Sequence, residues 1–154
     1  MSESSSSSLL TRGGSDSFTC KVSSVLNRDA KQFGKKHLFD GDEETCWNSD
    51  QGSPQFVVVA FHSPVTVDRL DIRFQGGFVG RECSFQVLSN DDDGGSSSEF
   101  ETVNRFYPDD SNKLQTFPVE GENNRPTTKV RISFDSSTDF FGRITIYSME
   151  LFGR

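Results

Sequence analysis

The chain is 154 residues long, which fits one domain whose core can stand without metal or disulfide staples. Its net charge of −7 and pI near 4.8 argue against broad binding to a nucleic-acid backbone, which needs a concentrated cationic face. Ala is nearly absent, hydrophobic content is only 32% and fifteen residues are Phe, so large rings must supply burial on a scaffold of Val, Thr, Ser and Gly, and an all-β domain follows.

Residues 1–17 are rich in Ser and Gly, show no hydrophobic period and read as a disordered tail, leaving 18–154 as the folded domain. Val22 to Leu26 reads as a short first strand. Asn27 to Lys36 is a polar connection whose basic residues, Arg28, Lys31, Lys35 and Lys36, read as a solvated loop rather than a nucleic-acid contact. A helical turn is expected near Lys35 to Phe39. Asp40-Gly41-Asp42 is a turn, because Gly tolerates positive φ and Asp side chains bond nearby amides.

Phe56 to Phe61 is apolar on consecutive residues, which predicts a strand covered on both faces and ended by Ser63-Pro64. From Val65 to Phe74 the alternation changes phase, and a β-bulge near Asp68-Arg69 reconciles the two halves. Gln75 to Gly80 is a loop. Cys83, Phe85 and Val87 alternate as a strand that runs into an exposed insertion, Asn90 to Ser98. Phe100 to Phe106, Leu114 to Phe117 and Val130 to Phe134 follow, the last with one dry and one wet face. The final strand, Arg143 to Phe152, is expected to place Ile144 and Ile146 on one face and Tyr147, Met149 and Leu151 on the other. About eight short antiparallel strands with no long helix and no repeat describe a β-sandwich or jelly roll.

Three cysteines, Cys20, Cys46 and Cys83, have no paired spacing, which does not suit a structural zinc site. Met1 to Ser8 is polar, Leu9-Leu10 is too short for a signal segment, and no stretch approaches about 18 apolar residues. A soluble, non-secreted protein with no membrane contact is expected. Catalysis finds little support: the two histidines are His37 and His62, there is no G-x-S-x-G elbow, and Glu43 and Glu44 beside Cys46 raise a thiol pKa rather than lower it.

Leu38 to Asp50, an acidic turn followed by Thr45 and Trp47, together with the apolar strand after it and the closing strand Arg143 to Gly153, resembles discoidin-like domains. These are also called coagulation factor V/VIII C-type or galactose-binding-like. Glu44 to Asp50 with Pro54 and Gln55 is also similar to the Doc domain of the anaphase-promoting complex. Longer runs are more specific: Ser23 to Arg28, Gln32 to Asp40, Gln75 to Phe78, Leu114 to Pro118 and Thr138 to Arg143 resemble a family of orphan-nuclear-receptor-associated coregulators. The resemblance implies a discoidin-type jelly roll. It also implies a non-enzymatic, monomeric interaction module of nucleus and cytoplasm whose protein partner is an orphan nuclear receptor that it represses. Extracellular discoidin domains tie their two ends with a disulfide, but no cysteine lies near Leu151 and Phe152 to pair with Cys20. The chain has no L-x-x-L-L segment, so a receptor contact must come from the sandwich surface or its loops.

Two sets of candidate site residues follow. Phe78 lies in a Gly-bounded loop, and Phe140-Phe141 is framed by Asp139 and Gly142-Arg143. On a strand a consecutive pair points to opposite faces, so one ring should fall outside the core, with Arg81 and Arg143 at the rim. The alternative is that these rings plug the end of the barrel. Carbohydrate-binding discoidin relatives hold calcium in the acidic turn, and the matching positions are Asp40, Asp42, Thr45 and Glu150. Turn Asp residues also bond the loop backbone without metal. A glycan- or small-ligand-binding lectin using loops beside Trp47, and a Doc-like adaptor in a larger complex, are the alternative functions.

Overall fold

The computed structural model describes residues 7–10, 18–88 and 99–154. Its strands are β1 (Ser7–Ser8), β2 (Phe18–Val22), β3 (Trp47–Asn48), β4 (Gln55–Val65), β5 (Val67–Phe74), β6 (Cys83–Leu88), β7 (Phe100–Phe106), β8 (Leu114–Pro118), β9 (Thr127–Phe134) and β10 (Thr145–Gly153). They form two antiparallel sheets, one ordered β1-β10-β5-β8 with β3 also on β10, the other β2-β4-β9-β6-β7. The only α-helix among the described residues is the four-residue α1 (Ala30–Phe33), and a 3-10 turn over Lys35–Leu38 sits where a helical turn was expected.

The inner faces meet as a layered core. Val57 and Val59 of β4, Phe85 of β6 and Val130, Ile132 and Phe134 of β9 face Leu70, Ile72 and Phe74 of β5 and Ile146 and Leu151 of β10, all essentially fully buried. Phe134 joins the layers through rings: Phe74 meets it edge-on at 5.9 Å and Trp47 at 6.4 Å between centroids.

The bulge expected near Asp68-Arg69 is present. Val67 pairs with Gly153 and Arg69 with Phe152, so Asp68 is the extra residue and Val67 and Leu70 both point inward. β10 carries a second bulge that the sequence reading lacked: Ile146 pairs with Phe74 but Ser148 with Arg73, leaving Tyr147 unmatched. Ile144, Ile146, Met149 and Leu151 therefore share the core side, which corrects the two-faced expectation for this strand.

Three other expectations change. The first long strand is Phe18–Val22, not Val22 to Leu26, because Ser23 and Ser24 turn their hydroxyls onto Gln55 Oε1. Beyond them Asn27 and Arg28 take φ of 53° and 59°, left-handed backbone that no strand holds. β4 buries alternate residues, Gln55, Val57, Val59 and Phe61, and its other face is only half-covered, in part by the Arg131 guanidinium 5.8 Å from the Phe56 ring. It also runs through Ser63-Pro64, since the ladder to β9 is already interrupted between Ala60 and Val65. Finally, the structureless tail does not extend over 7–10: Ser7 and Ser8 pair with Gly153 and Phe152, and Leu9 and Leu10 are buried. The rest of that tail and the Asn90 to Ser98 insertion lie outside the described residues.

Gln55 fixes how the sheets meet the loops. Its Oε1 accepts from Ser23 and Ser24, and its Nε2 donates to the carbonyls of Gly52 at 2.8 Å and Asp50 at 3.2 Å.

Candidate interaction site at the loop rim

Four loops meet at one end of the sandwich. Gly76 N–H donates to Asn112 Oδ1 at 2.6 Å and Gly77 N–H to Asp110 Oδ1 at 2.7 Å. Val79 N–H donates to Thr138 Oγ1 at 3.0 Å and Thr138 N–H returns to Val79 O at 2.8 Å, tying the 75–80 loop to the 135–144 loop. Gly52 N–H donates to Phe141 O at 2.8 Å, bringing in the 49–54 loop. Gly142, at φ +85°, fits so closely that an added Cβ would lie 2.8 Å from Gly52 O and 2.7 Å from Ser53 Oγ.

Asp139 organises the tip. Its Oδ2 accepts from Arg143 Nε at 3.0 Å, Arg143 N–H at 3.1 Å and Phe141 N–H at 3.2 Å, while Oδ1 accepts from Arg143 Nη2 at 3.1 Å. The Arg143 side-chain bonds hold the Asp139 carboxyl below its ordinary range against the effect of burial, and the same bonds raise the Arg143 guanidinium. That guanidinium lies 5.2 Å from the Phe78 ring centroid and 5.6 Å from that of Phe141. Phe140 and Phe141 meet edge-on at 5.2 Å and are 93% and 52% exposed.

The structure thus gathers Phe78, Phe140, Phe141 and Arg143. Phe78 is half-buried under Arg143, whereas both members of the pair stand outside the core, because they occupy a turn and not a strand where side chains alternate. Arg81 is exposed and joins only through its backbone, N–H to Ser136 O at 2.9 Å. Sequence reasoning missed Asp139 as the organiser; its place four residues before Arg143 was the available signal.

The acidic turn is closed by hydrogen bonds to its own carboxylates. Asp40 Oδ1 accepts Asp42 N–H at 3.0 Å, and Oδ2 accepts Thr45 Oγ1 at 2.6 Å and meets His37 Nδ1 at 3.0 Å. Asp42 Oδ1 accepts Glu44 N–H at 2.9 Å. His37 Nε2 lies 3.0 Å from Lys31 O. A carbonyl and a carboxylate can only accept, so this arrangement favours the protonated ring, in which both nitrogens donate. Glu150 stands on β10 opposite Asp71 of β5, and among the described residues no group of three or more His, Cys, Asp or Glu is arranged to hold a metal ion.

The hydrogen bond to Asp40 raises the His37 pKa above its ordinary 6.5, the Lys31 carbonyl adding to it against burial. Burial opposes ionisation of Asp40, but the Thr45 hydroxyl and His37 outweigh it and hold the carboxyl low. A raised histidine stabilises the fold fully below its unfolded value and loses that contribution as pH rises through the folded value. Melting temperatures recorded from about pH 5.5 to about pH 8.5 should fall more steeply for the natural chain than for His37→Gln.

Trp47 is fully buried and its indole N–H donates to Ser24 O at 2.9 Å. The three cysteines are free thiols; burial pushes Cys20 up to about 12 and raises Cys46 and Cys83.

A family model described as NedA-like, galactose-binding domain matches residues 37–139. The nuclear receptor 2C2-associated protein of Danio rerio is 47% identical over 134 residues, covering 86% of this chain and 89% of that protein. That of Xenopus laevis is 47% identical over 146 residues, covering 95% and 98%. Among solved structures, the F5/8 type C domain of a Bacteroides fragilis protein superposes with a TM-score of 0.71 at 16% identity, covering 89% of this chain and 91% of that one. The family 32 CBM of Clostridium perfringens NanJ, solved with galactose, gives 0.67 at 15% identity, covering 88% and 93%. The fold and the family model together define a galactose-binding-like domain of the F5/8 type C class. Within it, the chain belongs to the nuclear receptor 2C2-associated protein family.

Proposed function

We propose that this chain is a non-enzymatic protein-interaction module of nucleus and cytoplasm that docks a nuclear receptor through the 139–143 rim. It represses the receptor by occupying a surface needed for DNA contact or dimerisation. The observation that carries this reading is the Phe140-Phe141 pair, 93% and 52% exposed yet held in one geometry by Asp139 and Arg143. Interfaces concentrate energy in aromatic and Arg anchors, and a preformed tip lowers the ordering cost of binding. The names of the relatives supply the class of partner.

Phe140→Ala with Phe141→Ala should weaken binding to immobilised nuclear receptor 2C2 by about tenfold or more, with the melting temperature unchanged. Unchanged affinity would sink this reading. The alternative, a lectin using the loops beside Trp47, needs a platform other than that fully buried ring; galactose binding that survives in the double variant would favour it.

A further inference from the structure

The outer face of the second sheet carries a cavity of about 330 Å³ lined by Thr19, Cys20, Lys21, Lys35, Val58, Ala60 and Lys129. Strand register explains the gathering. Thr19 of β2, Ala60 of β4 and Lys129 of β9 lie in one cross-strand row, and Lys21, Val58 and Arg131 in the neighbouring one. With strands about 4.8 Å apart and the two rows about 7 Å apart along the strand, Lys21 and Lys129 stand on either side of β4, about 12 Å between backbones, a gap that two lysine stems can close. Lys35 reaches the same space from the 3-10 turn and is near enough to Cys20 to oppose the rise of its thiol.

Among the described residues no carboxylate lines this cavity and no ion pair uses Lys21, Lys35 or Lys129. The chain has 23 acidic residues against 16 Lys and Arg. Three ammonium groups with no paired carboxylate among the described residues are out of keeping with the overall charge of so acidic a protein. Arg131 in the neighbouring row is already engaged, its Nε donating to Gln86 Oε1 at 2.7 Å and its guanidinium 4.6 Å from the Phe100 ring centroid, so it does not compete for the cavity.

We propose that this face is a phosphate-recognition site for a phosphorylated serine or threonine in a peptide segment of a protein partner. A phosphomonoester carries close to two charges, which three point-like ammonium groups match better than a single carboxylate would. The Thr19 hydroxyl adds a neutral donor, and the half-buried floor of Val58 and Ala60 suits the methylene and neighbouring side chains of an extended peptide. The open sheet face fits a segment laid across it better than an enclosed metabolite. The site is separate from the aromatic rim and shares no residue with it.

The test titrates the full chain with a blocked Ala-phosphoserine-Val peptide, the same peptide with Ser, and phosphatidylcholine vesicles carrying a phosphoinositide. Tighter binding of the phosphorylated peptide by about tenfold is expected, falling by a similar factor in Lys21→Gln/Lys129→Gln and unchanged in Phe140→Ala. Lys35→Glu, on an exposed turn, provides the same readout should the double variant fold poorly. Equal affinity for both peptides, an unaffected double variant, or binding confined to the vesicles would each overturn the proposal. Loss in Phe140→Ala alone would instead locate the peptide at the rim.

Discussion

Trp47→Ala should lower the unfolding free energy by about 3–5 kcal/mol, a large share of the roughly 5–15 kcal/mol that a domain of this kind possesses. The indole is fully buried, meets the Phe134 ring at 6.4 Å and donates to Ser24 O at 2.9 Å. Its removal leaves a void between the sheets and an unmatched carbonyl at the end of β2, two costs that add. Trp47→Phe refills most of the volume without restoring the donor, so it should recover more than half of the loss. Denaturant midpoints of the three proteins measure this directly. If Trp47→Ala melts within a degree or two of the natural chain, the ring is not the bridge described above.

Asp139→Asn should cost about 1.5–3 kcal/mol, because an amide of the same shape loses the charge that four donors converge on and turns an NH₂ toward some of them. Its signature is in pH. The natural carboxyl sits below its ordinary 3.8, so its contribution is complete above that value and disappears as pH falls through the lowered folded-state value. The acid limb of the stability curve should flatten in Asp139→Asn, while stability near neutral pH drops. Phe141 and Arg143 lose their common anchor in the same variant, so affinity at the rim should fall with it. A variant that lost stability but kept its acid limb would mean that another carboxylate governs it.

Much of the architecture was legible because period-two patterning is strong where one face is dry. Val130, Ile132 and Phe134 are buried as their alternation requires, and the phase change at Asp68 revealed a bulge. The same phase change exists in β10 between Ile146 and Met149, but Tyr147 between them reads as one more core residue and hides it. β2 was misplaced because Ser23 and Ser24 look like ordinary strand residues until Gln55, more than thirty positions away, claims their hydroxyls. Such long-range polar bonds leave no local trace. The rim aromatics stood out by their Gly neighbours, whereas the role of Asp139 depends on a bidentate geometry that spacing only hints at. The acidic turn shows the opposite problem: its residues match those of a metal-binding relative, and only the bonds to His37 disclose another use.

Gln55 lies in the interior, yet its amide holds the Gly52 carbonyl at 2.8 Å, and the Gly52 N–H in turn donates to Phe141 O at 2.8 Å. Three successive bonds therefore connect the end of β2 to an exposed ring. A substitution at position 55 that weakens partner capture would report a displaced platform, with every contacting side chain chemically intact. Mapping of the contact surface by mutation has to separate such remote supports from true contacts, for example by checking that each variant keeps the natural chemical shifts around Phe141.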